Sequence, residues 1–122
     1  MTDWSKLEVQ RAFLEEPQVL VYRLKGGLTE SPTSYSFLEQ VRNDCRKTSR
    51  KVIVNLKDVE HLNSTGSGIL TAAFTSVTNA GGHMCLSGLS NRAEAILNVI
   101  RFLYIVGHTD TEEEALQYLR KY

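Results

Sequence analysis

The run Val52-Ile53-Val54-Asn55-Leu56-Lys57-Asp58-Val59-Glu60-His61-Leu62-Asn63-Ser64-Thr65-Gly66-Ser67-Gly68-Ile69-Leu70 carries the fold signal of this chain. Its opening is apolar and β-branched, which predicts a strand over Lys51 to Leu56. Its close starts a helical stripe of Ile69, Leu70, Ala73, Phe74 and Val77 that stops at the glycine C-cap Ala80-Gly81-Gly82. Between them lies a small polar cluster, Asn63-Ser64-Thr65-Gly66. A strand leading through a short loop into a single helix is half of a parallel crossover unit.

Working outward, the same alternation repeats. Upstream, Lys6 to Phe13 and Val19 to Leu24 read as strands, the second ending at Lys25-Gly26-Gly27. Ser31-Pro32-Thr33-Ser34 reads as a helix-entry loop, and Phe37, Leu38, Val41 and Cys45 then share one helical face. Downstream, His83 to Leu89 reads as a strand. Ala93, Ile96, Leu97 and Ile100 follow at helical spacing, and Phe102 to Val106 reads as a short apolar strand. Thr111 and Glu114 form a capping box for a last helix carrying Ala115, Leu116 and Leu119. The order β-β-α-β-α-β-α-β-α predicts one α/β domain over residues 1–122, with a mixed sheet of four to five strands and parallel, right-handed crossovers. Val52, Val54 and Leu56 alternate with a more mixed face, as do Met84 and Leu86. This places the helices mostly on one face of the sheet and makes the first strand an antiparallel edge.

Composition narrows the function. Lys+Arg and Asp+Glu number 14 each, so the net charge is zero. A nucleic-acid-binding domain needs a basic excess to displace counterions, so no direct nucleic-acid contact is expected. No apolar run approaches the ~18 residues needed to span a bilayer, and the first residues lack the pattern of a secretion signal. A cytoplasmic protein is expected. The 2 cysteines, Cys45 and Cys85, read as buried small hydrophobes. His61, His83 and His108 are scattered without metal-ligand spacing, so neither metal nor cofactor is expected. Ser64 is no hydrolase elbow, because Leu62 occupies the place that needs glycine. Gly66-Ser67-Gly68 is too short for a P-loop and lacks its lysine.

The cluster at residues 63–66 has two readings on local chemistry. Asn and Ser are favoured helix N-caps, and the cluster can be a cap alone. It can also display a hydroxyl, since loops at the carboxyl ends of parallel strands hold the sites of such sheets. A phosphoryl group on Ser64 would then sit at a helix N-terminus, where anions are favoured.

From Leu7 to Leu119 the chain resembles the STAS domains, the family of bacterial anti-sigma-factor antagonists. The matching features are Gly26-Gly27-Leu28, the apolar strand followed by Asn63-Ser64-Thr65-Gly66, then Gly68-Ile69-Leu70, Ala80-Gly81-Gly82, and Glu112-Glu113-Glu114-Ala115-Leu116. The resemblance implies a docking module and not an enzyme. It implies binding to an anti-sigma factor with serine kinase activity, which frees the sigma factor. It implies phosphorylation of Ser64, which releases the partner, and a phosphatase that restores the hydroxyl. The implied partner-binding residues are Leu28, Thr29, Asn63, Thr65, Gly66 and Ser67, on a monomer or weak homodimer. The alternatives are a STAS subunit working with a membrane transporter ATPase, or a scaffold subunit of a stress-sensing assembly. The family's usual acid before the serine is Asn63 here, and the acid that often follows Gly-x-Leu is Thr29. Two negative charges are therefore expected to be missing around Ser64. Ser67 stands where the family is usually apolar, and its position reads as exposed.

Overall fold

The computed structural model describes residues 6–15, 18–47 and 51–122. They form β1 (Leu7–Glu15), β2 (Gln18–Leu28), α1 (Pro32–Lys47), β3 (Lys51–Leu62) and α2 (Ser64–Asn79). These lead into β4 (His83–Ser87), α3 (Asn91–Val99), a 3-10 turn (Phe102–Tyr104), β5 (Gly107–Thr109) and α4 (Glu112–Leu119). The sheet is five-stranded in the order β1-β2-β3-β4-β5. β1 runs antiparallel to β2, and each later pair is parallel.

This order explains the layering. Each crossover steps one strand further in the same direction, and right-handed crossovers then deliver α1, α2 and α3 to one face. On that face Leu20, Tyr22, Leu24, Val52, Val54, Leu56, Met84 and Leu86 meet Phe37 and Val41 of α1, Leu70, Ala73 and Val77 of α2, and Leu97 of α3 in one core. α4 ends the order without a crossover to complete, so it is free to cover the opposite face. There Val19, Val21, Ile53 and Cys85 pack against Ala115 and Leu119. The central strands are thus buried on both sides at their middles, which is why Val19 to Tyr22 is apolar without interruption.

The first residue of α4 fastens it to the sheet. The Glu112 carboxylate accepts two hydrogen bonds from Arg23 of β2, at 2.7 and 3.0 Å, and one from Asn55 Nδ2 of β3 at 2.6 Å. On the opposite face, buried Tyr22 keeps its hydroxyl bonded to Asp44 of α1, which also pairs with Arg11 of β1.

Two predicted strands are corrected. Phe102 to Val106 is not a strand: Phe102–Tyr104 forms a 3-10 turn, and the strand is Gly107–Thr109. Phe102 and Val106 are apolar because they plug the α3 face of the core, while Tyr104 and Ile105 between them are exposed. The strand over His83 to Leu89 ends at Ser87, because Gly88 takes a positive φ of 73° against the Lys57 backbone. β3 is longer than its apolar run. It continues past Leu56 to Leu62, paired with β2 up to Leu28↔Leu62.

Candidate functional site

That extension positions the polar cluster. With Leu28 and Leu62 side by side, the two strands end together, and the β2–α1 and β3–α2 loops emerge as neighbours. The start of α2 lies directly on the end of β2. A Cβ at Gly66 would run into the Leu28 carbonyl, with its carbon at 2.8 Å and Leu62 Cδ1 at 2.9 Å, so only glycine allows this approach.

Asn63 is the N-cap, with extended backbone. Its Oδ1 accepts from the Gly66 N–H at 2.9 Å, and its backbone carbonyl accepts from the Ser67 N–H at 2.9 Å. The amide Nδ2 is then turned outward, and it donates to Glu30 Oε2 at 2.8 Å. The two bonds together define the amide orientation, since only oxygen can face the Gly66 N–H. The Asn63 amide first, then Glu30's own backbone N–H and the Thr65 hydroxyl, hold this exposed carboxyl below the usual carboxylate range.

The β2–α1 loop that carries Glu30 is itself held by a lattice of hydroxyls. Ser31 Oγ lies 3.1 Å from Thr33 Oγ1 and 3.0 Å from the buried Ser34 Oγ. Ser34 Oγ accepts from the Thr29 N–H at 3.3 Å, and Thr33 Oγ1 accepts from the Leu7 N–H at 3.2 Å.

Ser64 is the first residue of α2 and is exposed. Its hydroxyl forms no hydrogen bond with any described residue. Thr29, Asn63 and Thr65 are half-buried around it. Three of the residues expected at the surface are not there. Leu28 is 0% exposed in the main core, Gly66 is buried against its carbonyl, and Ser67 is 2% exposed with its Oγ donating to the Asn63 carbonyl at 3.1 Å. The reading of Ser67 as exposed is corrected: it lies on the inward stripe of α2 with Leu70 and Ala73. These three residues build the platform and offer no side chain to a partner. The two acids missing at Thr29 and Asn63 do not leave the turn without charge, because Glu30 brings a carboxylate to it from the neighbouring loop. No local signal in the sequence marked it, since its partner Asn63 lies 33 residues away.

Among the described residues, no group of three or more His, Cys, Asp and Glu side chains could hold a metal ion. No helix among them is long and apolar enough to cross a membrane.

A family model for the STAS domain matches residues 10–115. A Thermotoga neapolitana protein, named as a homolog of the anti-sigma factor antagonist TM1081, is 32% identical over 71 residues. That match covers 58% of this chain and 63% of the relative, so less than two thirds of the relative's length is spanned. An anti-sigma factor antagonist from Mycobacterium paratuberculosis has a similar structure, with a TM-score of 0.83 over 98% of this chain and 99% of its own at 15% identity. Bacillus SpoIIAA, solved in its phosphorylated form, gives a TM-score of 0.67 over 93% of this chain and 100% of its own at 19% identity. At such identities the likeness is one of fold.

Proposed function

This chain belongs to the STAS domain family, and from that premise we propose that it is a cytoplasmic anti-sigma factor antagonist, switched by phosphorylation of Ser64. In this reading it binds an anti-sigma factor with serine kinase activity and so frees a sigma factor. Transfer of a phosphoryl group to Ser64 ends the binding, and a phosphatase restores it. The chain acts by docking and carries out no chemistry of its own.

The observation that supports this most is the contrast within one turn. Asn63, Gly66 and Ser67 are each tied to neighbouring atoms, while the Ser64 hydroxyl among them is exposed and unbonded among the described residues. A side chain so placed can be modified without disturbing the fold. A phosphoryl group adds about −1.5 to −2 charges and three acceptor oxygens. At a helix N-terminus it is neutral or mildly stabilising for the domain. Its effect falls on docking, where an unmatched dianion costs about 3–4 kcal/mol, a roughly 200- to 1000-fold loss of affinity.

The test is intact mass spectrometry of the protein purified from its native host, with peptide mapping, together with retention of the anti-sigma factor by wild type, Ser64→Ala and Ser64→Asp. One phosphoryl group on the peptide containing Ser64, and loss of retention by Ser64→Asp only, are the expected results. Equal retention by all three would end the switch reading.

A further inference from the structure

We infer that Glu30 is the specificity-determining acid of the docking surface, and that the partner meets it with an arginine or lysine side chain. This rests on the reading of the turn around Ser64 as the docking site.

The two positions where the family usually carries acids hold Thr29 and Asn63, yet the turn is not without charge. Glu30 enters from the neighbouring loop and accepts a hydrogen bond from the amide of Asn63, directly before Ser64. This donor is neutral. It holds the carboxylate at the turn and leaves its charge uncompensated. Glu30 takes no part in the ion pairs Arg11–Asp44, Arg23–Glu112 and Arg42–Glu39. The hydroxyl lattice of Ser31, Thr33 and Ser34 holds the loop behind it, so little ordering remains for a partner to impose.

A fixed anion covered by a partner loses its water. Docking is then favourable only if the partner supplies a cation within hydrogen-bond reach. Such a cation also explains why phosphorylation would release the partner. Glu30 already satisfies it, so the phosphoryl dianion one residue from the Asn63 donor arrives unmatched and beside a like charge.

The pairing has an internal signature. Asn63 suits Glu30 because its amide can donate while its oxygen caps the helix. An aspartate at 63 could still cap, but it would face Glu30 with a second carboxylate. The charge can therefore be moved between the two positions, and hydrogen bonding alone does not distinguish them.

The experiment compares Glu30→Gln, Asn63→Asp and the double variant with wild type and Ser64→Asp. Each is measured by thermal melting and by affinity for the anti-sigma factor that wild type retains from native extract, identified by peptide mass spectrometry and purified. Glu30→Gln keeps an acceptor for Asn63 and should melt with wild type but bind roughly tenfold to hundredfold more weakly. Asn63→Asp should melt lower than wild type. The double variant carries the charge at position 63, with the new amide at position 30 as donor, and should regain both wild-type melting and most of the binding. Wild-type affinity in Glu30→Gln, or a double variant that binds no better than Glu30→Gln, overturns the inference. The Ser64→Asp arm reports separately: if it binds as wild type the switch fails, while a loss in Glu30→Gln still identifies the acid.

Discussion

Replacing Gly66 with alanine tests the packing that creates the site, and its size follows from the geometry. The added methyl meets backbone, with the Leu28 carbonyl carbon at 2.8 Å and Leu62 Cδ1 at 2.9 Å, where ordinary contacts begin near 3.4 Å. Leu28 is hydrogen-bonded within the sheet and cannot yield as a flexible side-chain end would, so α2 must back away. Overpacking of this kind costs about 1–3 kcal/mol, or more where the backbone must shift. Alanine recovers up to about 1 kcal/mol of helix propensity. The balance is a loss of about 2 kcal/mol, which for a chain of this length lowers Tm by roughly 6–12 °C. Gly68 is the control, two residues along the same helix with nothing within 4 Å of its added Cβ. Gly68→Ala should gain about 0.5–1 kcal/mol and raise Tm by a few degrees. Urea and thermal denaturation of the two variants beside wild type give the answer. If Gly66→Ala melts with wild type, or Gly68→Ala falls as far, the close approach of α2 to β2 is wrong, and with it the contact between Glu30 and Asn63.

Glu112→Gln should destabilise the protein by about 1–2 kcal/mol at neutral pH, because Arg23 and Asn55 lose their charged acceptor. Arg23 first, with Asn55 adding to it, holds the Glu112 carboxyl below its ordinary range against the opposing effect of burial. A carboxyl lowered in the folded state contributes stability above its unfolded pKa and loses it as pH falls through the folded one. The urea midpoints of wild type and variant should therefore converge below about pH 4. The buried thiols Cys45 and Cys85, the second pushed up to about 11 by burial, should resist a thiol reagent in mildly alkaline buffer until the chain unfolds. Rapid labelling of either in the native protein would contradict their placement.

Periodicity and turn chemistry made most of the architecture legible, because the helices are amphipathic and the middle strands are buried on both faces. The end of the chain was harder to read. Gly107, His108 and Thr109 carry no strand signal of their own, and their place is set by pairing with Cys85 to Ser87 and by the Tyr118 ring lying over Gly107. The apolar residues just before them satisfied a strand pattern while serving as plugs for the core. At the site, Ser64 and Asn63 were readable from local chemistry. Ser67 was misjudged, although its spacing from Leu70 and Ala73 already placed it on the inward stripe. Glu30 could not be assigned from local chemistry. Its bond to Asn63 spans 33 residues and exists only because β2 and β3 end in register.

That register also accounts for the composition of the turn. Once Leu28 and Leu62 are level, the residue that starts α2 against β2 must lack a Cβ, which specifies Gly66. The residue three before it must cap the helix with an oxygen and, facing Glu30, must also donate, which specifies an amide at 63 over an acid. Residue 67 faces inward, and its hydroxyl is kept only because the Asn63 carbonyl accepts from it. Folding thus constrains residues 63, 66 and 67 and leaves the exposed Ser64 hydroxyl unbonded among the described residues, which is the contrast on which the proposed phosphorylation of Ser64 rests.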